Sequence, residues 1–188
     1  MLEHQSALLL IDVQASFPAK EYWDDIPAEA WRPKQRALLD AAQTHAVPIL
    51  RILHEETDSN GPFDPAHGLI RPLEGFADAA TATFHKRVHN AFTGTTLERW
   101  LRERDITHLV ISGIRTEQCC ETTARVASDL GFSVDFVSDA TLTFAMTRNG
   151  VTWSAEDIKA RTELVLETRF ARIIDTHTLI DEWRNAPK

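Results

Sequence analysis

"THLVISGIRTEQCCETTARVASDLGFSVDFVS" (107–138) decides the fold. Its two ends, 107–113 and 132–138, are short, nearly continuous apolar runs, and 117–130 between them has helical period and stops at Gly131. Strand, helix and strand in that order make a βαβ unit, and strands this uniformly apolar belong in a parallel sheet covered on both faces. The same stretch holds both cysteines of the chain, adjacent at the exit of the first strand.

The alternation continues outward. "ALLLIDV" (7–13), "VPILRIL" (47–53) and "FARIID" (170–175) read as further buried strands, and "TATFH" (81–85) as a weaker sixth. Helical periodicity covers about 28–46, 95–104 and 155–168, with capping signals at Thr95/Glu98 and Ser154/Asp157. The predicted fold is α/β, a three-layer sandwich around a mostly parallel six-stranded sheet, in one domain spanning 1–188. Two segments read as irregular, 54–80 and 140–153; loops as long as the first are uncommon unless functional or disordered.

Composition narrows the function classes. With 188 residues, 43% hydrophobic and 26% charged, the chain suits one core, and a net charge of −8 with no basic cluster excludes a phosphate-tracking nucleic-acid surface. The expected partner is a small molecule. "MLEHQSALLLIDVQ" lacks a positive n-region and a small-residue cleavage site, and its apolar run is too short to span a bilayer, so the expected location is cytoplasmic. Adjacent Cys119 and Cys120 could close only a strained vicinal ring, which argues against a structural disulfide.

Ligands of open parallel sheets sit beyond the carboxyl ends of the strands. Asp12 ends the first strand and Cys119 follows the fourth, so both belong to that edge. With Thr116 as N-cap, Cys119 falls in the first helical turn, where unpaired N–H groups and the dipole lower a thiol pKa. Neighbouring helical residues diverge by about 100°, so one cysteine faces the cleft and the other, Cys120, packs. Asp12 can accept the thiol proton, and Lys86, just past the weak strand, can hold the charges together. Phe17 and Phe92 are candidate pocket walls, and Trp23 and Trp31 either cover the site or anchor the first helix. His85 and His89 have i, i+4 spacing but lie at a strand end, which points to surface or pocket-wall roles. Taken singly, each reactive residue also has a plain structural role: a turn aspartate, a solvated lysine, a small buried hydrophobe.

Together "ALLLIDVQASF" (7–17), "FHKRVHNAF" (84–92) and "GIRTEQCCETTARVASDLGF" (113–132) resemble the isochorismatase-like, or cysteine hydrolase, family. That resemblance implies a Rossmann-like sheet of order 3-2-1-4-5-6 and a triad falling on Asp12, Lys86 and Cys119. It also implies a cis peptide at Ile114–Arg115 and an oxyanion hole from the N–H groups of Arg115 and Cys119. No cofactor is implied. Metal-binding nicotinamidases carry an Asp-x-His pair after the second strand, whereas "RILHEETDSN" (51–60) offers His54 without the upstream aspartate, and His67 lies further on. No metal is therefore assigned, a two-His site with Glu55 or Asp64 being the alternative. Arg115 stands where many relatives have a small residue, so its side chain either points away or adds a cation to the pocket.

The expected function is a cysteine-dependent hydrolase of a small amide or related acyl compound, through a thioester. The alternatives are vinyl ether hydrolysis of the isochorismatase type and a catalytically silent binding protein. Relatives are commonly dimers or tetramers, and Leu142, Phe144, Met146, Val151 and Trp153 form a candidate arm for a homodimer or larger homo-oligomer. The alternative is that this segment folds back over its own sheet.

Overall fold

The structure is a computed structural model that describes residues 6–77 and 80–186. The opening MLEHQ, which carries part of the leader reading, and residues 78–79 of the long loop lie outside the described residues.

Strand β1 (Ser6–Ile11) has every side chain buried, and its period-2 alternation feeds two cores. Leu8 and Leu10 enter one cluster, while Ala7, Leu9 and Ile11 enter the other. Each fully buried leucine contributes about 1.5–3 kcal/mol, so the most apolar strand takes the centre of the sheet. Beside it lie β2 (Ile49–His54), β3 (Ala82–Lys86), β4 (His108–Ile114) and β5 (Ser133–Leu142). A small hairpin follows, β6 (Met146–Arg148) and β7 (Val151–Trp153), before the last sheet strand, β8 (Arg172–Ile174). The sheet order is β3-β2-β1-β4-β5-β8, which is 3-2-1-4-5-6 when the hairpin strands are left out. All five pairings are parallel, so the sheet is wholly rather than mostly parallel. The weakest candidate, β3, is a genuine edge strand.

Helix α1 (Asp25–Thr44) and helix α5 (Thr176–Asn185) cover the Leu8 face, while α2 (Leu97–Arg102), α3 (Glu121–Asp129) and the end of α4 (Ala155–Leu166) cover the other. The Ser154/Asp157 capping box forms. The Thr95/Glu98 box does not: Thr96 takes the cap position, and Thr95 Oγ1 donates to the carbonyls of Ala91 and Phe92. Trp31 anchors α1, its Nε1 donating to the carbonyl of Ala140 at 2.9 Å.

Both segments read as irregular contain order. Between 140 and 153, β5 continues to Leu142, and Leu142 and Phe144 are buried in the core, not displayed on an arm. Asn149 and Gly150 then take positive φ, 52° and 76°, and close a two-residue hairpin. Met146, Val151 and Trp153 remain exposed on it. In the long loop, Ala15 N–H donates to Arg71 and Leu73 N–H to Val13, so the chain runs back along the exit of β1. Phe63, Leu73 and Phe76 pin it to the core. No described helix is long and apolar enough to cross a membrane.

Gly113 lets the two central strands converge. Its φ is 126°, and a Cβ there would lie 1.9 Å from the carbonyl oxygen of Ile11, the residue before Asp12. Backbone cannot yield as a flexible side chain can, so Gly113→Ala is expected to cost about 4 kcal/mol and lower the melting temperature by roughly 10 °C. An unchanged thermal denaturation midpoint would contradict this close approach.

Candidate active site

Four consecutive strand ends meet at the carboxyl edge. Lys86 is the last residue of β3 and pairs in register with His54, the last of β2. Asp12 follows β1, with its N–H bonded to the Ile52 carbonyl at 2.9 Å and φ at 52°, a left-handed turn that aspartate tolerates better than most residues. Ile114 closes β4, and the Ile114–Arg115 peptide is cis.

Lys86 is the hub. Its Nζ lies 2.9 Å from Asp12 Oδ2, 3.3 Å from Cys119 Sγ and 3.1 Å from the Val88 carbonyl. The Asp12 carboxylate faces both the Lys86 ammonium and the Cys119 thiol, and it can receive the thiol proton. The structure thus brings together the three residues singled out in the sequence. Burial opposes the charge on Lys86, but Asp12 and Cys119 outweigh it and hold its pKa above the ordinary lysine value.

His54 is a fourth member that the sequence reading weighed only as a metal ligand. Its Nδ1 lies 3.3 Å from Lys86 Nζ and its Nε2 3.3 Å from Glu56 Oε1. An ammonium can only donate, so Nδ1 accepts and the ring proton sits on Nε2. Burial first, then the charge of Lys86, push the His54 pKa down, consistent with a neutral ring. Gln14 holds this strand end, accepting from the His54 N–H and donating to its carbonyl. His67 lies on an exposed turn, and among the described residues no group of three His, Cys, Asp or Glu side chains could hold a metal ion. His85 pairs with Glu55, and His89 stacks on His54.

Cys119 does not sit in the first turn of an ordinary helix. Thr116–Cys120 forms a π turn, with the Cys120 N–H reaching back to the Arg115 carbonyl, and α3 starts after it. Thr116 is no cap: its hydroxyl donates to Thr141 on β5. The expected lowering of the thiol pKa is reversed. Burial first, then the Asp12 carboxylate, raise the Cys119 pKa far above the usual thiol range, and Lys86 only partly offsets them. Cys119 keeps 7% exposure and Cys120 none, so only Cys119 can meet a ligand.

The aromatic walls are indirect. Phe17 packs edge-on against Phe63, which in turn packs against His54. Phe92 stacks on Phe132 in the core cluster that includes both cysteines, supporting the turn from behind. The Arg115 guanidinium lies over Tyr22 and beside Glu117. A cavity at the opposite edge, lined by Ser6, His108, Phe132, Asp135 and Trp183, includes none of the reactive residues.

Comparison with known proteins agrees with this fold. Residues 6–177 match the Isochorismatase domain. An isochorismatase family protein of Bacillus subtilis, YrdC, is 31% identical, covering 97% of this chain and 98% of that protein. Nicotinamidase 3 of Arabidopsis thaliana is 31% identical over 59% of this chain and 51% of its own length. The crystal structure of an isochorismatase-family hydrolase from Chromobacterium violaceum superposes with a TM-score of 0.87 at 26% identity, covering 97% of this chain and 95% of that one.

A raised thiol pKa means that Cys119 stays protonated through neutral pH. Its alkylation by iodoacetamide is therefore expected to climb about tenfold per pH unit up to at least about pH 9. Asp12→Asn removes a charge that raises this pKa and should move the profile to lower pH. A plateau near neutrality in the unmodified protein would contradict the assignment.

Proposed function

Because the chain belongs to the isochorismatase family of hydrolases, we propose that it hydrolyses a small amide or related acyl compound through a thioester on Cys119. One observation carries this reading: Lys86 touches both the Asp12 carboxylate and the Cys119 sulfur in a buried space at the ligand-binding edge. The nicotinamidase name of the Arabidopsis relative supports an amide as the substrate class.

In this mechanism Asp12 takes the Cys119 proton as Sγ attacks the carbonyl carbon. The N–H groups of Arg115 and Cys119 hold the oxyanion. Its collapse breaks the C–N bond, and the proton on Asp12 goes to the leaving amine. Asp12 then deprotonates a water that attacks the thioester, releasing the acid and returning the proton to Cys119. Lys86 stays charged and keeps both anionic stages close to neutral overall. The high resting pKa suits this sequence: the thiol gives up its proton only as the S–C bond forms.

We also propose that the exposed hairpin joins two copies of the chain. Met146 and Trp153 sit opposite each other on it, and closed two-fold pairing is the commonest way for identical chains to cover such apolar surface.

Two measurements follow. Cys119→Ala, folded by circular dichroism, should lose turnover of responsive carboxamides by about a thousandfold or more; full turnover would overturn the thiol mechanism. Trp153→Asp should shift sedimentation toward the monomer, and an unmodified protein that sediments as a 21.2 kDa species at micromolar concentration would reject the pairing.

A further inference from the structure

Arg115 and Glu117 flank the nucleophile turn without being explained by it. Arg115 Nη2 lies 2.9 Å from Glu117 Oε1, and the two side chains are 8% and 9% exposed. Beyond that ion pair, Arg115 Nε and Glu117 Oε2 have no hydrogen-bond partner among the described residues. Buried groups of this kind are usually satisfied, so an unpartnered donor and an unpartnered acceptor on either side of one ion pair leave a place for a ligand's own acceptor and donor. The pair flanks the turn that carries Cys119. The Arg115 guanidinium is 4.7 Å from the Tyr22 ring centre and 6.0 Å from that of Phe144, and Trp23 packs on Phe144 at 5.3 Å. Burial raises the Tyr22 phenol pKa, the charge and hydrogen bond of Arg115 lower it, and Cys119 and Glu117 raise it, so the phenol lies within electrostatic reach of all three.

We propose that Arg115 and Glu117 form a charge-balanced subsite beside Cys119 that selects neutral substrates bearing a hydrogen-bond acceptor next to a donor, such as carboxamides and ureides, and rejects carboxylates. The proposal rests on the thiol-hydrolase reading and narrows it. A lone buried arginine would call for an anion. Here Glu117 cancels that charge and offers acceptors side by side with the arginine's donors, matching the C=O and N–H of an amide or urea. An incoming carboxylate would meet Glu117 at short range in a space poor in water, where like charges repel strongly. The aromatic wall of Tyr22 and Phe144 suits a flat group.

The probes are iodoacetamide, neutral, and iodoacetate, anionic. Both alkylate Cys119 by the same displacement, Sγ–CH2 forming as C–I breaks and iodide leaves. The ratio of their rates at one alkaline pH cancels any change in thiolate fraction. Relative to the unmodified protein, Glu117→Gln should favour iodoacetate by at least about tenfold, and Arg115→Gln should disfavour it by a similar factor. On the unmodified protein, propionamide should protect Cys119 from iodoacetamide better than an equal concentration of propionate. A pair that merely braces the turn would leave the ratio unchanged. An unchanged ratio in a folded variant, or equal protection by the two additives, overturns the subsite. Peptide mapping that finds no label on Cys119 at any pH overturns the thiol reading instead.

Discussion

Lys86 and Asp12 form an ion pair with side-chain exposures of 0% and 1%. Removing two charges from water costs several kcal/mol for each, and only tight geometry with further polar contacts offsets it. The rest of the edge supplies that geometry. Lys86 reaches from the outermost strand, β3, toward the centre, so β2 between them must end in register with both. Gln14 holds the end of β2 through both backbone groups of His54, and Gly113 removes the side chain that would hold β4 away from Ile11. The long loop, bonded along the exit of β1, is pinned to the core by Phe63, Leu73 and Phe76.

The same pair sets the state of the sulfur. A helix end offers at most about half a positive charge, whereas Cys119 faces a full carboxylate in a space with little water. Burial and Asp12 therefore win, and the thiol remains protonated. This is a different route to reactivity from a free thiolate. In the proposed mechanism base and acid are the same carboxylate, and Lys86 keeps the total charge of the site nearly constant while the proton moves.

Much of this was legible in the chain. Continuous apolar runs announced the parallel strands because burial on both faces leaves no polar alternation, and even the weak 81–85 run gave the strand that carries Lys86. Asp12 and Cys119 could be placed on one edge because strand polarity decides which ends meet. What escaped depended on local chemistry or on contacts across the fold. Asn149–Gly150 signalled a hairpin inside a segment read as irregular. Helix α5 had its cap in Asp175 and its buried face in Leu179 and Trp183, but followed a strand so short that the pattern was not separated from it. His54 could not be recognised as a Lys86 partner, since only the β2–β3 register brings them together. The pairing of Arg115 with Glu117 depends on how the π turn coils, which no periodicity records.

The central claim is that catalysis passes through a covalent bond to Cys119. It is tested most directly by quenching the enzyme in acid during turnover of a responsive amide and measuring the intact mass. The account predicts a transient increase equal to the acyl group, mapped by peptide fragmentation to Cys119 and absent in Cys119→Ser. Steady turnover with no added mass at any quench time, under conditions where release of the acid is slower than acylation, would contradict it.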